Sequence, residues 1–286
     1  MADSEKSKNW KKYLIGDWHW SRPFKSLAFI YVTLALIAFF FGTKFVFLPP
    51  APGYDDSLPF LEKFGASDGN DIASVWVEPK GDESPVFLFA HGNAEEIIDY
   101  EFLQAAFIQR GWGGLFYDYP GYGLSTGSPD EDSVYAAADA AWKHLTEAKG
   151  IAPSRIVLIG RSVGCGPTTY LASKHEVRGV VLISPFLSAF RTVTRIPLFL
   201  GDFFNNQGQL EKSPSPLLIF HGAEDEIIPF AQGKQLFDES QATSKVFIPL
   251  PDTGHNDLFF RQLGLILQTL EDWEALKNGP SNKDTL

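Results

Sequence analysis

The stretch Arg155-Ile-Val-Leu-Ile-Gly-Arg-Ser-Val-Gly-Cys165 decides how this chain reads. Ile156 to Ile159 have the length and β-branching of a buried strand, and small residues from Cys165 onward suit a helix. Between them Gly160 to Gly164 form a G-x-S-x-G turn. Such a turn holds its serine in a strained conformation, so that Oγ projects above an α/β sheet with the next backbone N–H beside it. A Cβ at either glycine would collide with the neighbouring strand or helix. Ser162 is therefore a candidate nucleophile. Because the pattern arises by chance in roughly one chain in ten of this length, its surroundings must carry the argument.

A serine nucleophile in this setting needs an acid and a base later in the chain, in the order Ser, Asp or Glu, His. The run Ser215-Pro-Leu-Leu-Ile-Phe-His-Gly-Ala-Glu-Asp-Glu-Ile-Ile-Pro229 reads as a buried strand followed by an acidic loop with Asp225 at its centre. The strand Lys245 to Leu250 leads into Pro251-Asp-Thr-Gly-His-Asn-Asp257, which puts His255 on a second such loop. Both loops follow strand C-termini, the edge where open α/β sheets hold ligands. Glu224, Glu226, Asp252 and Asp257 are the competing acids. Upstream, the strand Pro85 to Ala90 ends in His91-Gly-Asn-Ala94. The backbone N–H groups of Asn93 and Val163 are assigned as oxyanion donors, each contributing about 2.7–4 kcal/mol to an acyl-transfer transition state. The strand Gly114 to Asp118 runs into the glycine-punctuated loop Pro120-Gly-Tyr-Gly-Leu-Ser-Thr-Gly-Ser-Pro129, before a helix from about Asp130.

In chain order, the H-G-N-A turn, the G-Y-G-x-S-x-G-x-P loop, the elbow, H-G-x-x-D-x-x-x-P and G-H-N-D resemble the α/β-hydrolase superfamily over about residues 71–273. In appearance the chain is similar to small membrane-tethered serine hydrolases whose relatives include protein depalmitoylases and lysophospholipases. The resemblance implies an α/β fold, a mostly parallel sheet with helices on both faces and a minimal cap, with Ser162 as nucleophile, His255 as base and Asp225 as acid. It also implies that no cofactor or metal is needed. No cysteine precedes Cys165, whereas depalmitoylases of this kind carry an N-terminal cysteine cluster, so protein depalmitoylation stays one option among several.

With 286 residues, 44% of them hydrophobic, the chain can bury one large core. One cysteine excludes an internal disulfide, and a net charge of -11 with no basic cluster beyond the N-terminus excludes a nucleic-acid footprint. No metal-ligand spacing and no phosphate-cradling loop is present. The uncharged run Ser26 to Thr43 is expected to be a transmembrane anchor, since about 18 residues approach the thickness of a hydrocarbon core. Six basic and three acidic residues in 1–25 leave +3 there, which predicts a cytoplasmic N-terminus and a catalytic domain on the non-cytoplasmic side. Trp10, Trp18 and Trp20 would form an interfacial belt. The expected order is an N-terminal cytoplasmic segment 1–25, an anchor 26–43, a linker and lead-in 44–70, a hydrolase domain 71–275 and a polar tail 276–286.

The expected protein is thus a single-pass membrane serine hydrolase cleaving carboxylic esters or thioesters, with acyl lipids or acylated proteins as substrates. A peptidase on the same fold and a non-catalytic interaction protein are the alternatives. The segment Ser184 to Pro216 is too short for a large cap, and its Phe186, Phe190, Ile196, Leu198, Phe199, Leu200, Phe203 and Phe204 are candidates to line an acyl groove. A serine at the elbow disfavours dehalogenase or epoxide-hydrolase chemistry, which uses aspartate there.

Overall fold

The structure, a computed structural model, describes residues 20–194 and 202–278. Eight strands form one sheet: β1 (Leu61–Gly65), β2 (Asp71–Val77), β3 (Val86–Ala90), β4 (Gly113–Tyr117), β5 (Ile156–Arg161), β6 (Gly179–Ile183), β7 (Leu217–Gly222) and β8 (Lys245–Leu250). Their order is β1-β2-β4-β3-β5-β6-β7-β8. The pairings β1 with β2 and β2 with β4 are antiparallel and the others are parallel, so the sheet is mixed at one edge.

The parallel strands read as unbroken apolar runs because both their faces are covered. Along β3, Val86, Leu88 and Ala90 enter one core while Phe87 and Phe89 enter the other; β5 divides likewise into Ile156 and Leu158 against Val157 and Ile159. Each fully buried large side chain contributes about 1.5–3 kcal/mol. The helices Glu131–Lys143 and Cys165–Lys174 cover the first face through Val134, Ala138, Ala141 and Leu171. Glu101–Arg110 and Leu258–Asn278 cover the second through Leu103, Phe107, Ile266 and Leu270. Asp130 starts the helix Glu131–Lys143 by accepting a hydrogen bond from the Ser133 amide at 2.7 Å.

Between β3 and β5 the order of the sheet reverses: the chain leaves β3 for β4 on one side and returns to β5 on the other. The C-terminal ends of these two strands frame a crevice at the switch point, where open α/β sheets bind ligands. His91 follows β3 and Ser162 follows β5.

The N-terminal expectation is corrected. The apolar run lies in a 25-residue helix, Arg22–Val46, yet among the described residues no helix is long and apolar enough to cross a membrane. The anchor at 26–43, the single-pass location, the cytoplasmic N-terminus and the catalytic domain beyond the bilayer therefore lack support. The uncharged part of that helix, between Lys25 and Lys44, is eighteen residues and at ~1.5 Å each spans about 27 Å, short of a ~30 Å hydrocarbon core. Of the tryptophan belt, Trp10 and Trp18 lie outside the described residues and Trp20 is exposed. Two compact units divide the chain near Gly42, and the second, from Thr43 onward, contains all eight strands.

Candidate active site

Ser162 follows the last residue of β5 with φ +52°, a left-handed conformation that costs a non-glycine residue of order 1–3 kcal/mol. Its flanking glycines are obligatory. A Cβ on Gly164 would lie 2.1 Å from the Ala90 carbonyl oxygen, and one on Gly160 would lie 2.3 Å from Thr168 Oγ1 and 2.4 Å from the Gly164 carbonyl oxygen. The turn thus packs against the end of β3, beside the His91–Ala94 turn.

The structure brings the three candidate catalytic residues together. Ser162 Oγ lies 3.0 Å from His255 Nε2, and His255 Nδ1 lies 2.8 Å from Asp225 Oδ2. An acceptor-only carboxylate at Nδ1 requires the proton there, which leaves the Nε2 lone pair facing the serine. Asp225 Oδ1 accepts from the amides of Ile227 at 3.0 Å and Ile228 at 2.7 Å. Burial alone would raise this carboxyl, but the hydrogen bond and charge of His255, then the Ile228 amide and His221, hold it below the ordinary carboxylate range.

Two of the four competing acids are occupied elsewhere. Glu226 accepts from the His255 backbone amide at 3.2 Å, and Asp257 accepts from the Gly254 amide at 2.8 Å while pairing with Arg261. Both fix the loop backbone rather than the imidazole. Asp252 occupies a positive-φ turn position, and Glu224 is exposed. His221 donates from Nε2 to the Ile228 carbonyl at 3.0 Å and stands 3.5 Å from Asp225, with burial lowering its pKa. His91 bonds the Gly92 carbonyl through Nδ1 at 2.7 Å. Cys165 is buried, and desolvation pushes its thiol far above the ordinary range.

Asn93 and Val163, the assigned oxyanion residues, both line a pocket of about 360 Å³ that also contains Ser162 and His255. The Asn93 turn is held tightly. Its Oδ1 accepts from the Ala94 amide at 2.9 Å, the Leu48 amide at 2.9 Å and the Tyr122 hydroxyl at 2.8 Å, and Ala94 sits at φ +55°.

Of the aromatic residues proposed for an acyl groove, Phe186 and Phe190 line the pocket, alongside Val46, Ala189 and Ile227. Phe204 is instead core, buried where a Cβ on Gly166 would meet its ring at 2.4 Å. Ile196, Leu198, Phe199 and Leu200 lie outside the described residues. Among the described residues no group of His, Cys, Asp and Glu could hold a metal ion.

Sequence reasoning missed Arg161. It is buried, pairs with Glu95, and donates from Nη2 to the His255 carbonyl at 3.1 Å. Glu95 in turn accepts from the Gly92 amide at 2.7 Å and from the Tyr100 hydroxyl. One guanidinium–carboxylate pair thereby links the elbow, the His91–Ala94 turn and the histidine loop. The available signal was an arginine inside an otherwise apolar elbow, with a glutamate just beyond the H-G-N-A turn.

Residues 81–206 match the profile of the serine aminopeptidase S33 family. The chain is 36% identical over 212 residues to α/β hydrolase domain-containing protein 17B of Xenopus laevis, covering 73% of each chain. It is 35% identical over 195 residues to the human protein 17B, covering 67% of each. Among solved structures, an esterase of Pyrococcus furiosus superposes with a TM-score of 0.66 at 15% identity, over 79% of this chain and 96% of that one. Est1E of Butyrivibrio proteoclasticus, solved with ferulic acid bound, gives 0.62 at 16% identity, over 74% and 97%. The structural likenesses establish the fold, and the sequence identity with the protein 17 relatives goes further: this chain belongs to the α/β-hydrolase family and is an enzyme of the serine-hydrolase type.

Proposed function

We propose that the enzyme hydrolyses carboxylic esters or thioesters through an acyl-enzyme on Ser162. The observation that carries this reading is the relay from Ser162 Oγ through His255 to Asp225, at 3.0 and 2.8 Å. As Oγ attacks the carbonyl carbon, its proton passes to His255 Nε2, and Asp225 stabilises the imidazolium that forms. The Asn93 and Val163 amides receive the oxyanion. Collapse of the tetrahedral intermediate expels the alcohol or thiol, protonated by His255. Water then repeats the sequence on the acyl-enzyme and releases the acid. Val46, Val163, Phe186, Ala189, Phe190 and Ile227 give the pocket an apolar wall, which favours acyl groups, and we propose acyl lipids or acylated proteins as substrates, including deacylation of the depalmitoylase or lysophospholipase kind. We also retain residues 71–275 as the proposed catalytic domain, with 44–70 leading into it and 276–286 as its tail.

The aminopeptidase profile supports a second reading, cleavage of a peptide bond by the same triad. Its matched residues include Ser162 but stop short of Asp225 and His255. Turnover of p-nitrophenyl esters, acyl-thioesters and aminoacyl p-nitroanilides, measured side by side, separates the readings: preference for the anilides would favour the peptidase. Ser162→Ala should lower kcat by about 10⁴–10⁶ and abolish fluorophosphonate labelling, while full turnover by that variant would refute the mechanism.

A further inference from the structure

The chain just ahead of the first strand reaches the catalytic centre. Val46 lines the pocket that holds Ser162 and His255. Phe47 is 3% exposed and packs edge-on against Phe204 with ring centroids 5.8 Å apart. With this ring as anchor, the Leu48 amide donates to Asn93 Oδ1 at 2.9 Å and to the Tyr122 hydroxyl oxygen at 3.1 Å. The Tyr122 hydroxyl itself donates to the same Oδ1 at 2.8 Å, and its ring is fully buried. Asn93 Oδ1 also accepts the Ala94 amide at 2.9 Å, so three donors from three parts of the chain converge on one oxygen. Two belong to the sheet's own loops. The third comes from 45 residues upstream.

We propose that Val46, Phe47 and Leu48 are a positioning element of the active site, holding the Asn93 turn so that its backbone amide meets the developing oxyanion. The proposal rests on the reading of that amide as an oxyanion donor. Stabilisation of this kind acts only if the donor is already within about 0.5 Å of its working position, because a turn that must reorganise during the reaction forfeits the gain. Ala94, next to Asn93, is at φ +55°, a conformation that persists only where neighbouring contacts impose it. The side chain of Asn93 transmits the hold, and the Leu48 N–H is a main-chain group, so removing it takes a change of residue type to proline and not merely of side chain.

The test uses the full-length chain. Leu48→Pro removes the N–H, and Phe47→Ala removes the buried anchor while keeping that N–H. Each should lower kcat on a p-nitrophenyl ester by about tenfold, the worth of one well-placed hydrogen bond, with KM within about twofold. In an Asn93→Ala background neither change should lower kcat further, since both act through the Asn93 side chain. A purely structural role predicts instead the same fold-loss in both backgrounds, and that result would overturn the proposal. So would wild-type kcat in both single variants, provided Ser162→Ala abolishes turnover; if Ser162→Ala retains turnover, the underlying mechanism is at fault instead. Should Leu48→Pro fail to fold, Phe47→Ala in the two backgrounds decides alone.

Discussion

Arg161 carries a charge that the interior would reject if it stood alone. Burial lowers its pKa to about 10 despite the nearby Asp225 carboxylate, and Glu95 supplies the compensating charge. Removing one member of a fully buried pair leaves the other uncompensated, at about 3–5 kcal/mol, and less here because Glu95 keeps part of its side chain in solvent, whereas neutralising both members is often tolerated. Arg161→Met should therefore be strongly destabilised in urea titrations, and adding Glu95→Gln, which removes the charge but keeps an acceptor for the Gly92 amide and the Tyr100 hydroxyl, should recover most of the loss. Recovery without return of kcat would assign the pair to positioning the histidine loop, and no recovery would refute the compensation argument. His221 responds to pH. Because burial lowers its pKa, the folded state binds fewer protons than the unfolded chain, so its stabilising contribution is complete above about pH 6.5 and is lost as pH falls. Asp225, whose pKa is also lowered, adds a second loss on the same side, present above about pH 3.9 and gone as pH falls through its folded value. Urea stability should decline in two stages on acidification, and His221→Gln should shrink the upper stage, to which His175, also lowered by burial, contributes, while leaving the lower one. An unchanged upper stage in that variant would mean another group titrates there.

At the scale of elements, the wall of the pocket is pinned by polar side chains from outside it. Gln232 accepts the Leu187 amide at 3.0 Å and donates to the Arg191 carbonyl at 2.9 Å, Asn206 donates to the Phe186 carbonyl at 2.9 Å, and Asp202 accepts the Phe190 amide at 2.7 Å. Gln232→Leu would leave the buried Leu187 amide unpaired, at about 1–3 kcal/mol, and loosen the wall bearing Phe186 and Phe190. Its KM for p-nitrophenyl esters should rise increasingly with acyl length while kcat changes little; a uniform fall in kcat would mean that the loop supports the triad instead. None of these pins was legible in the sequence, since each joins a polar side chain to a distant main-chain group. The parallel strands were legible, because β3, β5, β6 and β7 are apolar runs buried on both faces and punctuated by glycine. The edge strand β1, Leu-Glu-Lys-Phe-Gly, was not read: it is half exposed and carries two charges in five residues. Ser162, Asp225 and His255 were legible because Ser162 follows β5 directly and the other two lie on the loops after β7 and β8, so chain order sets all three at one edge.

For the whole molecule, residues ahead of β1 take part in both the core and the pocket, through Phe47 and Val46. Sequence patterning sets the hydrolase domain at Asp71 and treats residues 44–70 as a lead-in, because the motifs start there. That lead-in packs with the domain: a compact unit begins at Thr43, and Phe47 belongs to the same core as Leu88, Leu158 and Val163. A chain begun at Pro52 would keep every triad residue and all eight strands. It would forfeit the burial of Phe47, about 1.5–3 kcal/mol, which a domain of ordinary stability, about 5–15 kcal/mol, survives. It would also forfeit the Leu48 amide on Asn93 and the Val46 face of the pocket. Such a chain should fold cooperatively in a thermal melt, at a lower midpoint, and should react with a fluorophosphonate more slowly than the full-length enzyme at equal concentration, because the oxyanion of the phosphonylation transition state needs the same donors. Equal labelling rates in the two chains would mean that residues 46–48 contribute packing alone and that the catalytic machinery is complete from Pro52 onward.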